Sequence, residues 1–198
     1  MHLFLLFKEE LVDLNKIKDV LENNPIIAAT DSSGWSEALN SEAEVLFHLS
    51  ANILTASDEI GAAKNAGKQV FIHIDLADGI GKDKVGICWL KRIGADGIIS
   101  TREKLIKSAK EFGLLTVQRF FALDSKGMNS IFGMIESARP DFVEIMPGVI
   151  PKAVRLLSTQ DIPVIAGGLI ESKNEVTAAL GNGAIAISTG RHELWSGV

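Results

Sequence analysis

The sequence has one cysteine, no apolar run long enough to cross a membrane, and no excess of positive charge. The single Cys88 excludes an internal disulfide and is consistent with a reducing cytoplasm. The apolar run 3–7 is too short for a membrane span. It has no basic residue before it and charged residues directly after it, so we do not interpret it as a signal peptide. The net charge of -5 argues against broad non-specific binding of nucleic acid and leaves room for a local basic patch.

Several motifs of known function are also missing. The first predicted strand is followed by no glycine-rich fingerprint, so the alternative of an open, doubly wound sheet is less favoured. Neither an ordered Ser, His and Asp set nor a Cys and His pair indicates a nucleophilic site. The chain lacks the basic motifs with interleaved aromatics of known RNA modules. No linker, repeat or second domain is indicated. We therefore predict one domain, residues 25–198, preceded by an extension, residues 1–24.

The extension carries leucine and isoleucine at helical spacing, at Leu11, Leu14, Ile17 and Leu21. This spacing predicts a helix that caps the core or packs on a partner subunit.

From residue 25 onward, short apolar segments alternate with glycine-rich or polar turns and helical segments. Eight such strand–helix units favour a compact α/β fold, a (β/α)8 barrel of the TIM type. At 198 residues the chain is shorter than the roughly 250 typical of that fold, so the loops must be tight and the last helix is reduced to residues 192–195. The predicted strands are residues 26–29, 45–49, 70–76, 97–100, 115–123, 142–148 with their closing Pro-Gly turn, 163–166 and 184–188.

Polar residues cluster at the carboxyl ends of these strands, which form the working face of such a barrel. His73 and Asp75 are predicted to lie on one strand and to point the same way. Gln118 and Arg119 point to opposite faces, so only one of them reaches the lumen. Glu144 lies inside a buried strand and needs a partner. Arg119 with Glu144 is either a ligand contact or a structural ion pair.

The glycines after strand seven, Gly167 and Gly168, and the Ser188-Thr189-Gly190 segment after strand eight indicate a phosphate site. Barrels of this kind often bind phosphate with the loops after strands seven and eight. Glycine lets backbone N–H groups approach the anion, and hydroxyl groups add donors. The two loops therefore predict a phosphorylated ligand.

Two further groups of residues allow more than one interpretation. His73, Asp75 and Glu144 suit a hard or borderline cation, but nothing in their spacing requires one, and we predict no metal site. Basic residues follow several strands, and they form either a solvated surface or an RNA contact. The residues considered for RNA are Arg102, Lys152 and Arg155, the last two on one helical face.

Six segments, in order, closely resemble a known family. They are His73-Ile74-Asp75-Leu76, Gly97-Ile98-Ile99-Ser100-Thr101, Gln118-Arg119-Phe120-Phe121-Ala122-Leu123-Asp124-Ser125, Glu144-Ile145-Met146-Pro147-Gly148, Ala166-Gly167-Gly168-Leu169, and Ile187-Ser188-Thr189 with Leu194-Trp195. The family is that of the glycerol-3-phosphate-responsive antiterminators, bacterial regulators of glycerol uptake and utilisation operons. The resemblance covers about residues 25–195.

This resemblance implies a TIM-like barrel without catalytic turnover. It implies binding of glycerol 3-phosphate as effector, with no cofactor, and then of an operon's leader mRNA, so that transcription reads through a terminator. The glycine and Ser-Thr loops would hold the phosphate. His73, Asp75, Ser100, Arg119 and Glu144 are the candidates for the ligand pocket or for coupling the ligand to RNA. The implied location is cytoplasmic, and an oligomer is compatible with the sequence.

Two other classes of function remain open at this level. A barrel enzyme acting on a glycerophosphate or another small phosphate ester, of the prenyltransferase or phosphodiesterase type, would use Glu144 or Asp75 as general base or metal ligand. A barrel that senses a metabolite and binds a protein partner would instead show an exposed apolar patch.

Overall fold

The computed structural model describes residues 14–122 and 125–196, without the side chains of residues 125, 126 and 129. Eight parallel strands pair in chain order, and β8 closes onto β1, so the predicted (β/α)8 barrel is confirmed. The strands are β1 Ile26–Thr30, β2 Val45–His48, β3 Gln69–His73, β4 Gly97–Ser100, β5 Leu115–Phe121, β6 Phe142–Met146, β7 Val164–Gly167 and β8 Ala186–Thr189. The helices are α1 Leu14–Asn23, α2 Trp35–Asn40, α3 Ala56–Asn65, α4 Lys84–Arg92, α5 Glu103–Glu111, α6 Ser125–Ala138, α7 Pro151–Ser158 and α8 Lys173–Gly181.

The strands are apolar along most of their length because both faces of the sheet are covered. One face packs on the helices, where Ile72, Ile98 and Val143 belong to the larger hydrophobic cluster. The other face fills the lumen with a separate cluster that includes Phe47 and Phe71. Polar lumen positions therefore stand out against an apolar background.

Helix α1 closes the amino end of the barrel. Its Ile17 and Leu21 are buried in the lumen cluster, beside Val45 and Leu115 near the starts of their strands. This confirms a helix that caps the core over the part of the extension that is described; Leu11 lies outside the described residues. The division of the chain at residue 24 stays a prediction.

Two predicted strands end two or three residues earlier than expected, and the strand predicted at 45–49 ends one residue earlier. β3 stops at His73, and the chain turns over residues 74–77, where the Leu76 N–H donates to the His73 carbonyl at 3.2 Å. β5 ends at Phe121, and residues 123–124 lie outside the described part of the chain.

The reduced last helix is confirmed as a single 3₁₀ turn, His192–Leu194. Trp195 follows it and is fully buried, with its indole Nε1 donating to the Thr189 carbonyl at 2.8 Å. Within residues 14–122 and 125–196, the model contains no helix with the length and apolar character needed to cross a membrane.

Candidate functional site

The lumen changes from apolar to polar at its carboxyl end. Each of the four odd-numbered strands places one residue there, two positions beyond an apolar residue of the lumen cluster. Because side chains of alternate strands share a layer inside such a barrel, these four residues form one layer. Its members are Ala29, His73, Arg119 and Gly167. Two of them are large and polar and two are small, so the lumen stays open above the core.

A buried hydrogen-bond network forms the floor of this open end. Glu144 on β6 is fully buried, and its Oε2 accepts from Arg119 Nε at 2.5 Å. Its Oε1 accepts from the Ser188 hydroxyl, also at 2.5 Å. Of the neighbouring pair on β5, Arg119 therefore faces the lumen, and Gln118 is buried on the opposite side of the sheet. The structural ion pair considered from the sequence is present.

Above this network lies a cavity of about 380 Å³. It opens between the loops that follow β7 and β8, at the carboxyl end of the barrel. Its lining residues are Ala29, Leu49, Arg119, Glu144, Met146, Gly168, Leu169, Ile170, Glu171, Ser188, Thr189, Gly190 and Arg191. The structure thus brings the Arg119–Glu144 pair and four of the five predicted phosphate-loop residues into one site; the fifth, Gly167, lies directly beneath it.

The loop after β7 has an unusual backbone. Gly168 has a φ of 73°, and the next residue, Leu169, has a φ of 60°. A left-handed conformation is natural for glycine and strained for leucine. Strained residues of this kind are concentrated at ligand sites, which agrees with the position of this loop on the cavity.

The hydroxyl groups of the loop after β8 are engaged within the protein. Ser188 donates to Glu144, and Thr189 Oγ1 donates to the Ile170 carbonyl at 2.8 Å. The Arg191 N–H donates to the same Thr189 oxygen at 3.1 Å. Both hydroxyls therefore position the two loops, and an anion in the cavity would meet backbone groups and cationic side chains instead.

Arg191 is one of the basic residues that the sequence places near the carboxyl face, but our prediction did not include it in the phosphate site. This residue lines the cavity, and its guanidinium pairs with Glu171 at 2.6 Å. Hydrogen bonding to Glu171 and its negative charge raise the pKa of Arg191. A basic residue directly after the loop of strand eight was the sequence signal that could have identified it.

The prediction that His73 and Asp75 point the same way from one strand is wrong. The strand ends at His73, and the turn carries Asp75 toward the loop after β4. There its carboxylate accepts from Ser100 Oγ at 3.0 Å and from the Thr101 N–H at 2.7 Å, and Arg102 Nε lies 3.4 Å away. These hydrogen bonds are formed in place of a further stretch of strand, and they connect the loops after β3 and β4.

His73 is buried in the lumen, with 4% of its surface exposed. Neither ring nitrogen has a hydrogen-bond partner among the described residues. Burial, and then the nearby charge of Arg119, lower the pKa of His73 from its usual 6.5 to about 4. The imidazole is therefore neutral at pH 7.

This pKa predicts a loss of stability in acid. As pH falls from about 6.5 to 4, the unfolded chain gains a proton on His73 and the folded chain does not. The free energy of unfolding should fall over that window by up to about 3 kcal/mol and level off below it. Denaturant unfolding of the wild type and of His73→Gln between pH 7 and 4 measures the difference. Equal pH slopes for the two proteins would contradict the prediction.

The candidate RNA residues lie in two places. Lys152 and Arg155 are exposed on α7, where Arg155 donates to Asn182 Oδ1 at 2.7 Å. Arg102 lies after β4, two strands away, in its pair with Asp75. Over the part of the chain that the structure describes, no three His, Cys, Asp or Glu side chains are grouped to hold a metal ion.

Comparison with known proteins gives three close similarities and one family match. The family described as glycerol-3-phosphate responsive antiterminator matches residues 26–195. YgcP of Escherichia coli K12, described as uncharacterized, is 37% identical over 181 residues, which are 89% of this chain and 94% of that protein. The glycerol uptake operon antiterminator regulatory protein of Listeria monocytogenes superposes with a TM-score of 0.83 at 36% identity, over 89% of this chain and 97% of its own. A glycerol uptake operon antiterminator-related protein of Thermotoga maritima gives a TM-score of 0.78 at 37% identity, over 87% and 98%.

Proposed function

The chain belongs to the glycerol-3-phosphate responsive antiterminator family, and from this premise we propose how it works. Glycerol 3-phosphate binds in the cavity at the carboxyl end of the barrel. The loaded protein then binds the leader mRNA of glycerol utilisation genes, and transcription reads through a terminator. The protein acts in the cytoplasm as a regulator and carries out no catalytic turnover.

The observation that carries this proposal is the cavity itself. Its volume of about 380 Å³ lies within the range of small-molecule sites, and the loops after β7 and β8 form its wall. Gly168 and Gly190 let the backbone come close to the phosphate. Arg191 leaves its ion pair with Glu171 and pairs with the phosphate instead. Gly167, Ser188 and Thr189 support these loops from below.

The glycerol end of the ligand points down into the lumen, toward Arg119 and Glu144. These two residues line the cavity while they pair with each other, so a ligand that contacts them replaces water and leaves the ion pair intact. The turn after His73 leads directly to the cluster of Asp75, Ser100 and Arg102. Through these contacts the lumen is connected to the exposed guanidinium of Arg102.

RNA binding requires a local concentration of positive charge, because the chain as a whole carries -5. Arg102, Lys152 and Arg155 are the residues that we propose for phosphate contacts with RNA. The effector can act as a switch only if it favours the conformation that binds RNA. Its proposed effect is on the loops at the carboxyl face, where Arg102 and the start of α7 lie.

The contacts of the two candidate general bases support a regulatory role over an enzymatic one. Glu144 is held by Arg119 and Ser188, so both of its oxygens are engaged. Asp75 lies outside the lumen and accepts hydrogen bonds from Ser100 and Thr101. A general base must lie within hydrogen-bond reach of the proton that it removes, and Asp75 does not line the cavity.

The proposal predicts that glycerol 3-phosphate tightens RNA binding and that Gly168→Val abolishes this response. A β-branched residue is strained at a φ of 73°, and its Cβ would meet the Met146 side chain on the cavity wall, so ligand affinity should fall at least about tenfold. The measurement is binding of a labelled glycerol-operon leader RNA at fixed salt, with and without glycerol 3-phosphate. The matched control is Gly67→Val, because Gly67 has a φ of 75° with open space around it, at the amino end of β3.

A failure of RNA binding under both conditions, with the ligand still bound, would contradict the antiterminator mechanism. It would favour a second candidate, a metabolite sensor that binds a protein partner. On the part of the carboxyl face between β2 and α4, four exposed apolar side chains favour this candidate. The loops after β2 and β3, which carry three of them, are joined by a bridge between Asn52 and Asp78. The four side chains are those of Ile53, Leu54, Leu76 and Val85.

A further inference from the structure

His73 is the buried polar side chain of the lumen that the protein's own contacts leave unused. Among the described residues, neither ring nitrogen has a partner within hydrogen-bond distance and angle, although the Leu49 backbone lies near enough to favour the protonated ring weakly; only 4% of the surface of His73 is exposed. A buried polar group without a partner destabilises a protein by about 1–3 kcal/mol, so each such group requires an explanation. The neighbouring polar groups of the lumen differ, because Arg119, Glu144 and Ser188 bind one another.

His73 is not itself among the residues that line the cavity, but its position on β3 puts it at the same level of the lumen as two residues that are. It shares the uppermost lumen layer with Ala29, Arg119 and Gly167, which come from the other odd-numbered strands. Ala29 and Arg119 line the cavity, and the absence of a side chain at Gly167 keeps this level of the lumen open. A ligand whose phosphate lies at the loops after β7 and β8 extends downward to this layer.

We propose that His73 is the residue that recognises a hydroxyl group of the bound ligand, so that the site selects phosphate esters of polyols over phosphate esters with a plain alkyl chain. This assignment rests on the proposed function, because it takes the cavity as the effector site. It adds the chemical feature that the ligand must carry and the side chain that recognises it.

The chemistry of the imidazole supports a hydroxyl partner. A neutral imidazole presents one N–H donor and one bare nitrogen acceptor, and a hydroxyl group can satisfy either. Burial and the positive charge of Arg119 keep the ring neutral at pH 7, since the pKa of His73 is about 4. A hydrocarbon chain at this position would leave both nitrogens buried and unpaired. A site built to hydrogen-bond a hydroxyl discriminates strongly against an analogue that lacks it.

The test compares three probes by calorimetry at pH 7.5: glycerol 3-phosphate, n-propyl phosphate and inorganic phosphate. The wild type should bind glycerol 3-phosphate at least about tenfold more tightly than propyl phosphate. His73→Phe should reduce this ratio to about twofold, because glycerol 3-phosphate loses its hydroxyl contact while propyl phosphate no longer leaves two ring nitrogens buried and unpaired. His73→Gln, which keeps a donor and an acceptor, should retain most of the preference. His192→Phe is the control, because His192 is exposed and stacks on Trp195 away from the lumen layer.

A measurement on the wild type makes the test independent of whether the variants fold. The ring ¹⁵N resonances of His73 should shift when glycerol 3-phosphate saturates the protein and should not shift with propyl phosphate. An unchanged His73 spectrum, or a preference for glycerol 3-phosphate that survives His73→Phe, would overturn the assignment and leave the proposed function standing. If the wild type binds none of the three probes, both the assignment and the proposed effector site are wrong.

Discussion

Glu144→Gln is expected to lower the free energy of unfolding by about 3–5 kcal/mol, although the two side chains have nearly the same shape. Glu144 is fully buried and Arg119 is 8% exposed, so the substitution leaves a guanidinium charge in the lumen without its counter-charge. The Ser188 hydroxyl also exchanges a charged acceptor for a neutral one. Urea unfolding at pH 7 measures the loss.

Two comparisons isolate the cause. Glu111→Gln removes the same charge from an exposed pair with Lys84 and should change stability by no more than about 0.5 kcal/mol. The double variant Arg119→Met/Glu144→Leu removes both buried charges and should recover most of the stability, because no unpaired charge remains. A loss below about 1 kcal/mol in Glu144→Gln would show that the pair is not buried in solution.

Gly167→Ala is expected to lower the free energy of unfolding by about 4 kcal/mol and to abolish ligand binding, although it adds a single methyl group. A Cβ at this position would overlap Glu144 Oε1, which the substitution must therefore displace. It would also lie 2.5 Å from the Ser188 hydroxyl oxygen. Both atoms are buried in the same network, so the methyl group breaks the hydrogen bonds as well as overpacking the lumen. Thermal or urea unfolding and calorimetry with glycerol 3-phosphate measure the two effects.

Gly181→Ala is the matched control for this prediction. Gly181 ends α8 at an exposed position, and a Cβ there would meet nothing within 4 Å. The variant should be as stable as the wild type or more stable by up to about 1 kcal/mol, because alanine favours the helix. If Gly167→Ala proves equally harmless, the close approach of Gly167 to Glu144 is incorrect.

The barrel could be predicted from the sequence because its signals are local. Each apolar run of four to seven residues is a strand whose two faces are both covered, and two of the helices, α4 and α8, begin at a capping side chain, Asp83 and Ser172. The alternation of strand and helix requires parallel pairing, and eight units close on themselves. The position of polar residues at the carboxyl ends of strands was therefore sufficient to locate the face of the site.

The arrangement of the site could not be predicted because it depends on contacts between residues far apart in the chain. Arg119, and not Gln118, faces the lumen because Arg119 makes a hydrogen bond with Glu144, which lies 25 positions away in the chain. β3 ends at His73 because Asp75 makes hydrogen bonds with the loop after β4. These hydrogen bonds compete with extension of the strand beyond His73.

The sequence by itself determined the elements of this protein, their order, the closed barrel and the loops at the carboxyl ends of the strands, because hydrophobic period, caps and turns act within a few residues. Only the tertiary structure decided that Ser188 and Thr189 use their hydroxyls to hold the two loops in place and that Arg191 lines the cavity. It also decided that His73 is buried with no hydrogen-bond partner within distance and angle among the residues that are described. The physical reason is that strand tilt and register place side chains from alternate strands in one layer. Hydrogen bonding and burial in that layer are properties of all eight strands together.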